Sequence, residues 1–214
     1  MKRDIVVIGA GGHAKVVIDA IQYSEYSMCG LTDANYMAVK ECMGYPVLGN
    51  DEILADLYFQ NGVRHAAMGI GHVGYPAVRN KVYAYAQQLG FHFPCLLHPS
   101  AAIAKSSIIG DGVLCAAQVV VNAEASIGNL CIINSSAVVE HEVVIADGVH
   151  IAPRAVVLGG ASVGANSFVG AGSVILQGVH VGRNCIIGAG TIVLGDVEDD
   201  SVVVGNPGRV IKRR

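Results

Sequence analysis

The chain carries eight histidines, and one of them is framed by acid, in Glu140-His141-Glu142. An imidazole titrates near neutral pH. A carboxylate beside it can orient the ring and steady its charge, so such a histidine suits general-base work. A second run with chemical promise is Gly9-Ala10-Gly11-Gly12-His13-Ala14. Glycines let a phosphate approach the backbone, and the start of a helix favours negative charge. His13, directly after the glycines, can donate to a phosphate or a sugar hydroxyl. Gly9-x-Gly11-x-x-Ala14 also fits the dinucleotide fingerprint, with Asp33 close to where a ribose-binding acid would stand. One run offers a base, the other a place for a diphosphate.

The first run lies inside a repeat. From Ile103 to Glu198 the sequence divides into sixteen blocks of six, each opening on an apolar residue such as Ile127, Ile133, Val139, Ile145 or Ile151. The fifth place is small or β-branched from Ser107 to Val197, and Gly, Ala or Asn often fills the second. A helix repeats its apolar stripe at about 3.6 residues, so a period of six excludes it. Short strands joined by tight turns satisfy it, with three strands to a triangular coil of eighteen residues. The stretch is predicted to be a parallel β-helix of a little over five coils, stacked at about 4.8 Å. His141 takes the third place of its block, near a corner, and should point outward. Gly159 follows it by eighteen residues, one coil above, where its N–H can serve an oxyanion. Ala171 and Ala189 stack on one corner by the same spacing.

The second run opens a different kind of chain. Ile5-Val6-Val7-Ile8 reads as a buried strand, and Lys15 to Ile21 has a helical stripe. Strands follow at about 28–32 and 66–71, with an extended piece at 45–49 and helices over 52–59 and 77–89. Strands alternating with helices argue for a small parallel α/β unit. The boundary falls near Pro99, giving domains 1–98 and 99–214.

Composition narrows the field. The net charge of −3 gives no reason to expect nucleic acid. Hydrophobic residues reach 52%, yet Gly, Asn, Ser and Asp interrupt every run, well short of the roughly 20 residues a membrane span needs. Met1-Lys2-Arg3-Asp4 leads into a strand and a glycine turn rather than a cleavable signal. A cytoplasmic protein without a membrane span is expected. Cys131 and Cys185 are 54 residues apart, so about 14 Å of stacked strands separates them, too far for a disulfide. Reduced thiols are expected. His141 and His150 are nine residues apart with no third histidine in register, so no metal is expected.

The blocks Ile127-Gly128-Asn129-Leu130-Cys131-Ile132 and Val169-Gly170-Ala171-Gly172-Ser173-Val174 resemble the hexapeptide-repeat acyltransferases. With Gly-Ala-Gly-Gly-His-Ala-Lys-Val-Val at 9–17, the chain from Ile5 onward resembles one branch of them. These are the sugar acetyltransferases with an N-terminal Rossmann-like domain. They include the sialic acid O-acetyltransferases and the enzymes that acetylate nucleotide-linked 4-amino-4,6-dideoxy sugars, as in the bacillosamine pathway. The resemblance implies a left-handed β-helix, an exception to the usual crossover hand. It implies acetyl-CoA as co-substrate and a homotrimer, because one corner supplies half a CoA groove. It assigns His141 as base, with Glu142 orienting it and Asn134 nearby. It brings His150 to acetyl-CoA and runs the pantetheine arm along Ala171 and Ala189. Gly205-Asn206-Pro207-Gly208-Arg209 resembles the family's closing cap, with Gly208 in place of the usual Ala. Lys212, Arg213 and Arg214 form a basic end suited to the 3′-phosphate of CoA or to solvent.

The combined expectation is an acetyl-CoA-dependent N-acetyltransferase. Its acceptor is the 4-amino group of a UDP-linked 4-amino-4,6-dideoxy sugar, made for bacterial surface polysaccharide or glycan. The N-terminal domain holds the diphosphate near Gly11, Gly12 and His13, and the nucleoside toward Asp33 and Gly71. His141 takes the amine's proton during direct attack on the thioester, with no covalent enzyme intermediate. Three rivals stand beside it. O-acetylation of a free sugar such as sialic acid would use the same base. An NAD-dependent oxidoreductase would use the glycine turn, but about 97 residues hold only one mononucleotide half. A non-catalytic scaffold would need none of these residues.

Overall fold

The computed structural model describes residues 2–74 and 76–213. The chain forms two compact units. One holds the residues up to Gly71 together with Ala77–Leu96; the other holds His72–Pro76 and the chain from Leu97 onward.

The first unit is a five-stranded sheet with helices. Its elements are β1 (Arg3–Ile8), α1 (Gly12–Gln22), β2 (Tyr26–Thr32), β3 (Glu41–Cys42), β4 (Tyr45–Gly49), α2 (Ile53–Phe59), β5 (His65–Met68) and α3 (Ala77–Leu89). The order is β3-β4-β2-β1-β5, with β1 parallel to both β2 and β5. That central place explains why Ile5, Val6, Val7 and Ile8 are all fully buried and show no alternation. From β1 the chain winds one way to β2 and β4, then crosses to β5 on the other side. Open α/β sheets bind ligands at the strand ends where winding reverses, here the C-terminal ends of β1 and β5. Two expectations shift. The piece at 45–49 pairs antiparallel with Glu41–Cys42 as a hairpin, turning through Met43 (φ 50°) and Gly44 (φ 79°). The third strand stops at Met68 rather than near 71. Past it the chain presses on the glycine turn, and a Cβ on Gly69 would stand 2.7 Å from Gly9 O.

The second unit is a left-handed parallel β-helix with three sheets. Partner residues differ by eighteen: Val121 with Val139, Ile127 with Ile145, Ile133 with Ile151. First-place residues such as Val139, Ile151, Val157 and Ile175 are fully buried, and so are the fifth-place residues Ala137, Val143, Ala155 and Ala161. Two inward residues per block fill a thin core of Val, Ile and Ala. The fourth place is left-handed at almost every turn, with φ of 58° at Leu130 and Glu142, 60° at Arg154 and Asn166 and 65° at Gly160. The frame does not run to Glu198. Val197 pairs with Val181, sixteen residues back instead of eighteen, so the last block is two residues short. The shortening brings Ser201–Val204 onto Ile186–Ile187 as a last parallel strand, and Arg209–Arg213 turns back antiparallel across it. This cap covers the end of the core.

Among the described residues no disulfide joins the six cysteines, and Cys42, Cys115, Cys131 and Cys185 are buried. No helix among them is long and apolar enough to cross a membrane.

Candidate active site

His141 stands at a corner of the β-helix, with its side chain about half exposed. Its Nδ1 lies 3.0 Å from Glu142 Oε2. Adjacent residues rarely face each other; here the left-handed backbone of Glu142 swings its carboxylate back onto the ring. The carboxylate accepts, so the proton of the neutral ring sits on Nδ1 and the lone pair on Nε2. Glu140, the other flanking acid, accepts from the His141 backbone N–H at 3.3 Å and so shapes the same turn. The imidazole lies against Gly159 one coil above. A Cβ at Gly159 would stand 2.5 Å from both Cε1 and Nε2. Only glycine leaves room for the ring.

Among the described residues the Gly159 N–H is not capped by a side chain. At another corner three third-place N–H groups, those of Asp111, Asn129 and Arg183, are capped from the coil above. Asp111 N–H donates to Asn129 Oδ1 at 2.9 Å, and Asn129 N–H to Asp147 Oδ1 at 2.7 Å. Above Gly159 the third-place residue is Gln177. Among the described residues the Gly159 N–H has no acceptor. A donor is therefore available beside the His141 lone pair.

Asn134 and His150 are brought together. The Asn134 amide donates to His150 Nε2 at 3.1 Å, and the opposite ring nitrogen, Nδ1, donates to His72 O at 2.8 Å. Asn134 Oδ1 accepts from Ser135 N–H at 2.8 Å. His150 is 8% exposed and packs edge-on to Phe168. Along the chain one strand, Val138–Val139, lies between Asn134 and His141. His72 completes the cluster. Its Nδ1 lies 2.6 Å from Gly74 O and its Nε2 3.0 Å from Gly148 O. A backbone carbonyl faces each ring nitrogen, so the ring is held from both sides. Sequence reasoning missed His72, which lies 78 residues from His150 and follows no repeat.

Ala171 and Ala189 stack on a third corner, both exposed. Gly190 N–H donates to Ala171 O at 2.8 Å, which locks the coils together. Among the described residues the N–H groups of Ala171 and Ala189 have no acceptor. Small side chains and open N–H groups fit a thin polar chain such as pantetheine. In the basic end Arg213 pairs with Glu198 at 2.8 Å, and Arg214 lies outside the described residues. Among those residues no group of three or more His, Cys, Asp or Glu is arranged for a metal ion.

In the first unit the glycine turn leads into α1. Gly11 and Gly12 are exposed, and a Cβ on either would meet nothing within 4 Å. Open backbone at a helix start is the setting an anion needs. Asp33 ties this turn down. Its Oδ2 accepts from Ala10 N–H at 2.9 Å and its Oδ1 from Asn35 N–H at 2.8 Å. His13 packs on Gly71, where a Cβ would stand 3.1 Å from the His13 Cβ. The structure therefore gathers Gly11, Gly12, His13, Asp33 and Gly71 at the C-terminal ends of β1, β2 and β5.

Comparison with known proteins fits both halves. The PglD N-terminal domain family matches residues 4–86, and the hexapeptide repeat of succinyl-transferase matches residues 160–194. No curated protein sequence matches the chain. Among solved structures, perosamine N-acetyltransferase from Caulobacter crescentus, a histidine-to-asparagine variant in complex with CoA and GDP-perosamine, is 34% identical. The match covers 98% of this chain and 97% of that one, with a TM-score of 0.92. The chain belongs to the hexapeptide-repeat sugar acetyltransferases with an N-terminal Rossmann-like domain. The acetyltransferase domain of PglB from Neisseria gonorrhoeae FA1090, in complex with acetyl coenzyme A, is 30% identical over 99% of this chain and 100% of that one, with a TM-score of 0.90. WeeI from Acinetobacter baumannii AYE, 21% identical with a TM-score of 0.69 over 98% of this chain and 100% of that one, shares the fold. This hexapeptide-repeat enzyme is accordingly an acetyl-CoA-dependent acetyltransferase.

Proposed function

We propose that this acetyltransferase moves the acetyl group of acetyl-CoA onto the 4-amino group of a nucleoside-diphosphate-linked 4-amino-4,6-dideoxy sugar. The observation that carries the reading is the near full-length likeness to an enzyme bound to both CoA and GDP-perosamine. His141 Nε2 takes the proton of the attacking amine while Glu142 holds Nδ1. Gly159 N–H holds the developing oxyanion, where a donor beside the reacting carbon has most effect. Ala171 and Ala189 flank the pantetheine arm, and His150 keeps Asn134 and the neighbouring turn in place at the acetyl-CoA end. Gly11, Gly12 and His13 hold the diphosphate, and Asp33 and Gly71 lie toward the nucleoside. Support for the base comes from its geometry and from the relatives, two of whose structures replace one histidine.

Uridine is the base expected from the bacillosamine branch. Guanosine is the second reading, favoured by the GDP-linked sugar of the perosamine enzyme. The assembly is read as a homotrimer. Its support is the row of outward, partly exposed aliphatic side chains Val120, Val138, Val156, Val174 and Ile192 along one sheet. The product would enter bacterial surface polysaccharide or glycan.

The test is a thiol-release assay with acetyl-CoA and a panel of UDP-, GDP- and dTDP-linked 4-amino-4,6-dideoxy sugars, beside free sialic acid. Rapid CoA release with one amino sugar, lost in His141→Ala, is expected. Turnover with sialic acid alone would overturn the acceptor and make the enzyme an O-acetyltransferase.

A further inference from the structure

Arg79 is a costly residue for its place. It lies in the first turn of α3, is 2% exposed, and ranks among the largest fully buried side chains. The dipole of a helix opposes a cation at its N-terminus, and removing a guanidinium from water is heavily unfavourable unless it makes directed bonds. Its Nε donates to Ile70 O at 2.8 Å.

Ile70 and Gly71 are wedged between Arg79 and the glycine turn. A Cβ on Gly9 would stand 2.6 Å from Ile70 Cγ1 and 3.2 Å from Ile70 N. A Cβ on Gly71 would stand 3.1 Å from His13 Cβ and 3.2 Å from His13 Cγ. Ala10, between Gly9 and Gly11, is fixed from the far side by Asp33. The guanidinium thus anchors the segment that the glycine turn and the His13 ring pack against.

We infer that Arg79 is a positioning residue for the nucleotide sugar: through Ile70 and Gly71 it sets the His13 ring and the glycine turn. The inference rests on the reading that this unit holds the sugar nucleotide. Space filling alone would be met as well by methionine. Direction is what the planar guanidinium adds, and lysine cannot reproduce its geometry.

The experiment compares wild type, Arg79→Lys, Arg79→Met, Gly71→Ala, His13→Ala and the Arg79→Met/His13→Ala double variant. KM for the nucleotide sugar, KM for acetyl-CoA, kcat and Tm are measured, and binding of UDP, GDP and dTDP is titrated directly. Both Arg79 variants are expected to raise the nucleotide-sugar KM about tenfold or more, with the acetyl-CoA KM within about twofold of wild type. Gly71→Ala should reproduce the effect with Arg79 intact, which keeps the test open if Arg79→Met folds poorly. The double variant should lose less than the product of the two single effects, because both act in part through the His13 contact. Arg79 variants with unchanged nucleotide-sugar KM and only a lower Tm would overturn the inference, as would multiplying effects in the double variant. Wild type that binds none of the three nucleotides yet turns over a free sugar would overturn the parent reading and this inference with it. That outcome is told apart because it appears before any substitution.

Discussion

The imidazole of His141 occupies the space that a side chain on Gly159 would fill, with Cε1 and Nε2 each 2.5 Å from the missing β-carbon. The residues are eighteen apart, one coil. Gly159→Ala should therefore push the ring off its position without touching the buried core. The expected result is a fall in kcat of about a hundredfold or more, within the range a misplaced base allows, with a Tm close to wild type. Steady-state kinetics beside a thermal melt checks it.

His141→Ala removes the proposed base. A loss of roughly 10²–10⁴ in kcat is expected, with acetyl-CoA binding retained. Glu142→Gln leaves the ring in place but weakens the hold on Nδ1, so its loss should be smaller, on the order of tenfold. Titration of acetyl-CoA into each variant separates lost chemistry from lost binding.

His150 serves as a buried joint. His150→Ala would leave the Asn134 amide and the His72 carbonyl without the partners they have now. Each unsatisfied group costs about 1–3 kcal/mol. Denaturant unfolding should register a loss of that order, whereas substituting the exposed His180 should change stability little.

His65 gives an acid-side signature. Burial is the main cause holding its pKa below the ordinary 6.5, opposed by a hydrogen bond with the Asp4 backbone and aided by the Arg3 charge. The unfolded chain then takes up the proton first. Stability is full above about pH 6.5 and falls as pH drops through that value toward the lower folded one. His65→Gln should flatten the Tm profile just below about pH 6.5. An unaltered profile would contradict this account.

Cys29 should be nearly inert. Burial first, and the charge of Asp4 second, push its thiol up to about 11. At pH 8 about one molecule in a thousand would carry the thiolate. Cys29→Ala should leave the fast phase of labelling by a thiol-reactive disulfide unchanged and remove one equivalent only in denaturant. A slow native background also favours the CoA-release assay.

Much of the β-helix was legible because one constraint repeats: an inward apolar residue every sixth place leaves few alternatives. The His141–Glu142 pair was legible because its partners are adjacent. The left-handed fourth place carries a signal of its own, the Gly or Asn at 148, 160, 166, 172, 178, 184 and 190. The two-residue shortening before the cap was hidden because Val197 is apolar in either frame. His72 and Arg79 left no trace. One is joined to its partner by folding alone, and the other reads as an ordinary polar residue on a helix until its burial is known.

The eighteen-residue register also decides which length changes this enzyme can tolerate. A substitution in a turn stays local, but one residue inserted between Glu142 and Gly159 would turn every later inward side chain outward. It would also carry Gly159 off the His141 corner. Six residues inserted there would keep the core packed yet rotate the upper coils by one side of the triangle, leaving a well-folded protein with His141 and Gly159 on different corners. Natural length variation should therefore appear as loops bulging from corners or as whole coils. The eighteen residues from His141 to Gly159 are the spacing that such changes must keep if the ring is to stay against that glycine.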